Sequence, residues 1–199
     1  ARGGSLGAVE MADLDGDGDA DIVYTCWYWV GWLENLGAGA FGPPRELPSS
    51  TLADGLAVRD LDGDGDTDLL VSASNNDEIV LYRDEGAVFG PPETVAVADL
   101  VGAPVATDLD GDGIDDLAFP GTADDEVWLA EGLGDGTFAA QWEITLEHYG
   151  ADAIAACDLD GDDDRDLVVG GYDDVIAYRN GILTPSPEPA PAGGWDADG

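Results

Sequence analysis

Residues 13–21 read Asp-Leu-Asp-Gly-Asp-Gly-Asp-Ala-Asp (DLDGDGDAD), five aspartates in nine positions. Carboxylates so close together repel one another, and burying them costs more still. Such a stretch is either a solvated acidic run or a cradle for a doubly charged cation. The rest of the sequence chooses between the two.

The stretch returns three times: DLDGDGDTD from Asp60, DLDGDGIDD from Asp108 and DLDGDDDRD from Asp158, at intervals of 47, 48 and 50 residues. Its surroundings return with it. An apolar run precedes each loop (GAVEMA, GLAVR, APVAT, AIAAC) and another follows (DIVYT, DLLVS, DLAFP, DLVVG). A third comes next (GWLEN, IVLYR, VWLAE, VIAYR), then a Gly-rich turn and FGPPREL, FGPPETV or the looser FAAQWEI. Short apolar runs bounded by turn residues predict strands, so each unit offers three strands and a fourth. A single four-stranded sheet has two faces and cannot bury both. Stacking such units around an axis does so, and a period near 48 residues is that of a propeller blade.

The motif D-L-D-G-D-G-x-x-D between two strands, with FG nearby, resembles the FG-GAP/VCBS repeats of calcium-binding β-propellers, found in integrin heads and many secreted bacterial proteins. The resemblance covers residues 6 to about 183. It implies an all-β fold, a β-propeller of four four-stranded blades, each with a calcium-binding A–B hairpin loop, in a secreted or cell-surface setting. Family members commonly close with about seven blades, whereas this chain carries four motifs. The expected blades span approximately 6–50, 51–98, 99–147 and 148–183 within a 1–183 domain. A ring closed on itself is the first expectation, and a partial ring completed by another chain or by missing sequence is the second.

The spacing suits calcium, a hard cation that takes six to eight oxygens at about 2.3–2.6 Å. Alternate residues of a tightly wound loop point inward. Positions 1, 3, 5 and 9 then offer carboxylates, and position 7 its carbonyl. The expected ligands are Asp13, Asp15, Asp17, Asp19 and Asp21; Asp60, Asp62, Asp64, Asp66 and Asp68; Asp108, Asp110, Asp112, Ile114 and Asp116; and Asp158, Asp160, Asp162, Asp164 and Asp166. Four sites, one Ca2+ per blade, are expected. Glycines at positions 4 and 6 permit left-handed backbone. The fourth repeat has Asp163 at position 6, and aspartate tolerates that region better than most residues. An EF-hand would need Glu at position 12, where Tyr24, Val71, Phe119 and Val169 stand. Zinc lacks His and Cys ligands, and magnesium prefers a smaller octahedral shell that keeps its waters.

With 44 acidic residues against six arginines and no lysine, the net charge is −38. That field repels nucleic acid and anionic membranes, so neither is an expected partner. No apolar run approaches the ~20 residues that span a bilayer. The only methionine is Met11, so Ala1 is not an initiator; a removed secretory signal and an excerpt of a longer chain both fit.

Chemistry beyond the metal is sparse. His148 has no counterpart in the other repeats, and no G-x-S-x-G elbow or phosphate-cradling loop occurs. Carboxylates are abundant, but most are assigned to metal, and the chain reads as non-enzymatic. The cluster Trp27, Tyr28, Trp29 and Trp32 occurs in one repeat only, which favours filling between blades over a glycan platform. Cys26 and Cys157 fall at opposite ends of their strands, too far apart in height for a disulfide within the ring. An intermolecular Cys26–Cys157 bond between molecules stacked face to back, and two free thiols, both remain open. Residues 184–199, Pro-rich then Gly-rich, read as a tail or linker that could dock through Trp195. The functional expectation is a calcium-braced structural or adhesive module, homo-oligomeric or filamentous. A carbohydrate-binding domain and the accessory domain of a larger extracellular enzyme are the alternatives.

Overall fold

The computed structural model describes residues 5–27, 29–48, 52–123, 126–145, 150–171 and 175–180. The expected all-β class is found: 15 strands and no helix among these residues. The first blade comprises β1 (Leu6–Ala12), β2 (Asp21–Cys26), β3 (Trp29–Leu33) and β4 (Arg45–Pro48). The second comprises β5 (Ala53–Arg59), β6 (Asp68–Ala73), β7 (Glu78–Tyr82) and β8 (Glu93–Val97). The third comprises β9 (Val105–Thr107), β10 (Asp116–Gly121), β11 (Glu126–Ala130) and β12 (Trp142–Thr145). The last comprises β13 (Ala153–Cys157), β14 (Asp166–Gly170) and β15 (Val175–Tyr178). Each blade is an antiparallel meander whose strands pair in chain order. Three sheets have four strands and the last has three; a fourth strand in that blade would fall outside the described residues.

The register repeats from blade to blade. The residue after the motif's final aspartate pairs forward with Leu33, Tyr82, Ala130 and Tyr178. Because side chains alternate across a strand, this lock sends successive residues to opposite neighbours. Leu14, Val23, Val30 and Trp32 of the first blade meet Leu56, Leu69, Val71 and Tyr82 of the second in one apolar cluster. Leu61, Leu70, Ile79 and Leu81 meet Leu117 and Phe119 in the next. Leu109, Val127 and Leu129 meet Leu167, Val169 and Tyr178 in the third. The second strands of the two middle blades, DLLVSA and DLAFPG, are therefore buried at every residue.

The inner strands follow one another around an axis, β1 against β5, β5 against β9 and β9 against β13. Closure does not follow. β1 presents Leu6, Val9 and Met11 to solvent, and the last blade presents Leu159 and Val175. A ring closed by the described residues alone would bury those side chains, so the described part is an open arc.

The recurring phenylalanines close the turn behind each third strand. Phe41, Phe89 and Phe138 bridge to Asn35, Asp84 and Gly132. The next residue donates its N–H to the carbonyl of Glu34, Arg83 or Glu131, at 2.8, 2.9 and 2.8 Å. Cys26 is buried and both described cysteines are free thiols. Cys26 pairs with Leu6 and Trp29 at the end of its hairpin remote from the loop, while Cys157 sits beside Asp166 at the loop end. The difference in height is thus as expected, and an intermolecular bond at Cys26 would first require that hairpin end to open. His148, Tyr28 and the 184–199 tail, Trp195 included, lie outside the described residues.

Candidate metal centres

Each aspartate loop links the first and second strands of its blade and is wound by its own side chains. The position-1 carboxylate accepts two backbone N–H groups at once. Asp13 takes those of Gly16 and Gly18, both at 2.9 Å. Asp60 takes Gly63 at 2.8 Å and Gly65 at 3.1 Å, and Asp108 takes Gly111 at 2.7 Å and Gly113 at 2.9 Å. Asp158 takes Gly161 at 2.6 Å and Asp163 at 3.3 Å. The position-5 carboxylate accepts from residue 7 in all four loops: Asp19, Asp66 and Ile114 at 2.8 Å, and Asp164 at 3.2 Å. Both positions 4 and 6 carry positive φ, and Asp163 takes φ 74° where Gly18, Gly65 and Gly113 take 93°, 97° and 89°. The expected left-handed aspartate is therefore present.

Position 9 does more than the sequence suggested. Asp21, Asp68, Asp116 and Asp166 are all buried. One oxygen accepts the N–H of the position-2 leucine, from Leu14, Leu61, Leu109 and Leu159 at 3.1, 3.1, 2.8 and 2.7 Å. The other accepts the N–H two residues past the third strand, from Asn35, Asp84, Gly132 and Asn180 at 2.7, 2.9, 2.8 and 2.7 Å. This residue ties loop to blade whether or not its remaining lone pairs reach a cation. Burial raises the Asp68 and Asp116 carboxyls to about 6, the backbone donors notwithstanding.

The carboxylates converge. One oxygen from each of Asp13, Asp15 and Asp17 lies within 4.8 Å of the others, and likewise in the sets Asp60–Asp62–Asp64, Asp108–Asp110–Asp116 and Asp158–Asp160–Asp166. Oxygens that share a calcium at about 2.4 Å can be no more than about 4.8 Å apart, so the three-residue sets fit a single ion. All-oxygen donors also exclude the soft-ligand metals. Asp15, Asp110 and Asp160 have their carboxyls pushed up by desolvation first and by the charge of neighbouring aspartates after it. The structure does not bring the position-7 side chains into these sets.

Two groups beside the loops escaped the sequence reading. The residue directly after the paired Leu33, Tyr82, Ala130 and Tyr178 is Glu34, Arg83, Glu131 and Arg179, alternating in sign. Arg83 reaches Asp62 at 3.3 Å and Arg179 reaches Asp160 at 3.8 Å, so in two loops a guanidinium lies on the position-3 carboxylate. Arg83 also donates to the carbonyls of Asp135 and Gly136 in the third blade, at 2.8 and 3.0 Å. Asp84 is the second. It is buried, one oxygen accepts from Val88 at 3.0 Å, and the other has no hydrogen-bond partner. Burial raises its carboxyl to about 6. The alternation was there to be read in GWLEN, VLYRD, WLAEG and AYRNG, but it acquires meaning only with the register.

Known proteins place this geometry. A family model described as an FG-GAP-like repeat matches residues 13–71, 60–119 and 108–169, each match running from one aspartate loop into the next. No curated protein sequence matches significantly. Among solved structures, a lectin from Agrocybe aegerita, described as recognising non-reducing terminal N-acetylglucosamine, superposes with a TM-score of 0.63 at 24% identity. The match covers 86% of this chain and 48% of the lectin chain, so this chain spans about half the lectin's length. BBS1N, solved in complex with ARL6DN, matches at 0.57 and 16% identity over 90% of this chain and 55% of that one. A component of the Photorhabdus luminescens Tc holotoxin pore matches at 0.50 and 21% over 81% of this chain and 8% of its own. At such identities the likeness is one of fold.

Proposed function

The chain belongs to the FG-GAP-like repeat family, and on that footing we propose that it is a secreted, non-catalytic β-propeller module, braced by four calcium ions and serving a structural or adhesive role outside the cell. The observation that carries this reading is the fourfold loop. Three carboxylate oxygens converge within 4.8 Å in every repeat, on a backbone that the position-1 side chains have already wound. They come from positions 1 and 3 throughout, and from position 5 in the first two loops or position 9 in the last two. Asp13, Asp15 and Asp17, Asp60, Asp62 and Asp64, Asp108, Asp110 and Asp116, and Asp158, Asp160 and Asp166 would hold the ions, and Asp21, Asp68, Asp116 and Asp166 would also hold each loop to its blade. When bound, calcium supplies charge neutralisation and cross-linking, not reaction chemistry. Four ions carry +8, taking the net charge from −38 to −30.

Titration calorimetry on chelator-treated protein, followed by thermal unfolding with and without calcium, tests this. Binding of about four ions per chain with a rise in melting temperature is expected. Superposable melting curves would refute the bracing role.

One observation favours a second reading, a carbohydrate-binding module. Trp27 stands half-exposed with positive φ (33°) at the tip of the β2–β3 hairpin, and a structural neighbour is described as a lectin. Aromatic faces suit sugar rings, yet the second and third blades put Ser74 and Thr122 at that position. Glycan-array binding abolished by Trp27→Ala would favour this reading over the first.

A further inference from the structure

The three interfaces inside the arc bury the same positions from blade to blade, and the two ends of the arc leave those positions uncovered. The motif leucine is 2%, 5% and 3% exposed at Leu14, Leu61 and Leu109, and 46% at Leu159. The third-strand residue paired across from Thr25, Ser72 and Pro120 is Val30, Ile79 or Val127, at most 1% exposed. Its counterpart across from Gly170 is Val175, 75% exposed. The trailing face of the last blade is thus built like three buried faces and, among the described residues, has nothing packed against it. The leading face of the first blade is the other half of the same joint. Val9 pairs with Tyr24 as Leu56 pairs with Val71, yet Val9 is 54% exposed and Leu56 5%. Met11, paired with Ile22, is 63% exposed.

We propose that the occupant of each end is a second copy of this chain. The trailing face of one copy, centred on Leu159 and Val175, packs on the leading face of the other, centred on Val9 and Met11, and the second junction closes the pair. Within the arc each trailing face already packs on a leading face, so the new junction continues an interface that the chain builds three times. A head-to-tail contact generates a ring when its rotation closes. Two four-blade arcs make eight blades, the upper end of the ~4–8 that propellers use. Both apolar faces are then covered by the same operation, and none is left to recruit a third copy. Monomeric proteins rarely leave paired apolar faces in water.

The inference depends on blade packing and not on the identity of the metal. Sedimentation velocity of the intact chain in calcium-containing buffer, over a range of concentrations, is the direct test. A species of twice 20.5 kDa that stops growing is expected. Val175→Asp and Met11→Asp each place a carboxylate in a junction while altering a side chain that is already solvent-exposed. Each variant is expected to keep its calcium stoichiometry and to weaken pairing by ~100-fold, because both junctions carry the change. Mixing the two variants leaves one junction without either substitution, so pairing of intermediate strength should return. A monomer at all concentrations, assemblies that grow past two copies, variants that pair like the parent, or a mixture that restores nothing would each overturn the proposal.

Discussion

Calcium should bind in two classes, because the loops differ in the charge that faces their position-3 aspartate. Loops 2 and 4 carry Arg83 and Arg179 against Asp62 and Asp160, whereas loops 1 and 3 have no arginine there, with Glu34, paired to Arg45, and Glu131 at the same register. The Glu34 charge contributes to raising the Asp15 carboxyl, while Arg179 draws that of Asp160 down, behind desolvation in both cases. Arg179→Glu makes the cleanest perturbation, since its side chain is half exposed and sits 3.8 Å from Asp160. A cation bound to that carboxylate would be about 6 Å from the guanidinium, where a unit charge and a doubly charged ion interact by ~1.4 kcal/mol in water-like dielectric. Reversing the charge doubles this, and screening at physiological salt, with a Debye length near 8 Å, halves it again to ~1.3 kcal/mol. Titration calorimetry of the parent should therefore resolve two tighter and two weaker sites about 10-fold apart, and Arg179→Glu should move one site into the tighter class. Low salt should widen the gap. A single class of four sites, indifferent to the substitution and to salt, would refute the reasoning.

Further outcomes follow from the groups around the loops. Asp84→Asn should stabilise the protein by about 1 kcal/mol, or a few degrees in melting temperature, because the unpartnered Asp84 oxygen becomes an amide donor. Asn35 and Asn180 show the arrangement, each giving its amide at 3.0 Å to the carbonyl of the position-8 residue, Ala20 or Arg165; Thr67 would receive it here. Asp163→Gly should stabilise the fourth loop by up to ~1 kcal/mol by relieving a left-handed aspartate, seen as a higher melting point of the chelated protein. pH should act with opposite sign on the two forms. Burial raises the Asp68, Asp84 and Asp116 carboxyls to about 6, above the usual carboxylate range. The metal-free fold therefore takes up protons, gaining stability as pH falls from 7 toward 4 and losing it as pH rises through about 6. In the calcium-loaded form protons compete with the ion over the same window, so its melting temperature should fall on acidification. Parallel pH slopes with and without chelator would contradict this.

How much of this the sequence disclosed varies with how local the cause is. The loops were legible because a hairpin wound by its own aspartates needs only near neighbours: Asp13 reaches Gly16 and Gly18, three and five residues on. The blade order was legible because the repeat imposes one register on every sheet. The open arc was not legible, since Leu14 and Leu159 sit in the same five-letter context, DLDGD, and differ only in what lies beyond the blade. Position 9 looked like one more ligand among five, and only its burial between two strands shows it to be a tie. Arg83 and Asp84 could not be read from the sequence, because their partners come from a loop more than fifteen residues earlier, or from the next blade.

The leucine of the motif joins the metal centre to the blade interface. Its N–H holds the buried position-9 carboxylate, its neighbours on either side are expected ligands, and in three blades its side chain is inserted against the next blade. An ion that orders the loop therefore also places the leucine, and the packed leucine in turn holds the loop in its binding geometry. Two events coupled through one residue must favour each other by the same factor in both directions. At the fourth loop Leu159 is uncovered, so half of that coupling is absent in the single chain. Covering Leu159 by a second copy should tighten calcium at loop 4 alone, and calcium at loop 4 should strengthen pairing by an equal factor. Asp160→Asn, which weakens that loop without touching either face, separates the two effects: pairing should weaken in calcium-containing buffer and match the parent in chelator. Equal loss of pairing under both conditions would place the change in the interface, not in the link.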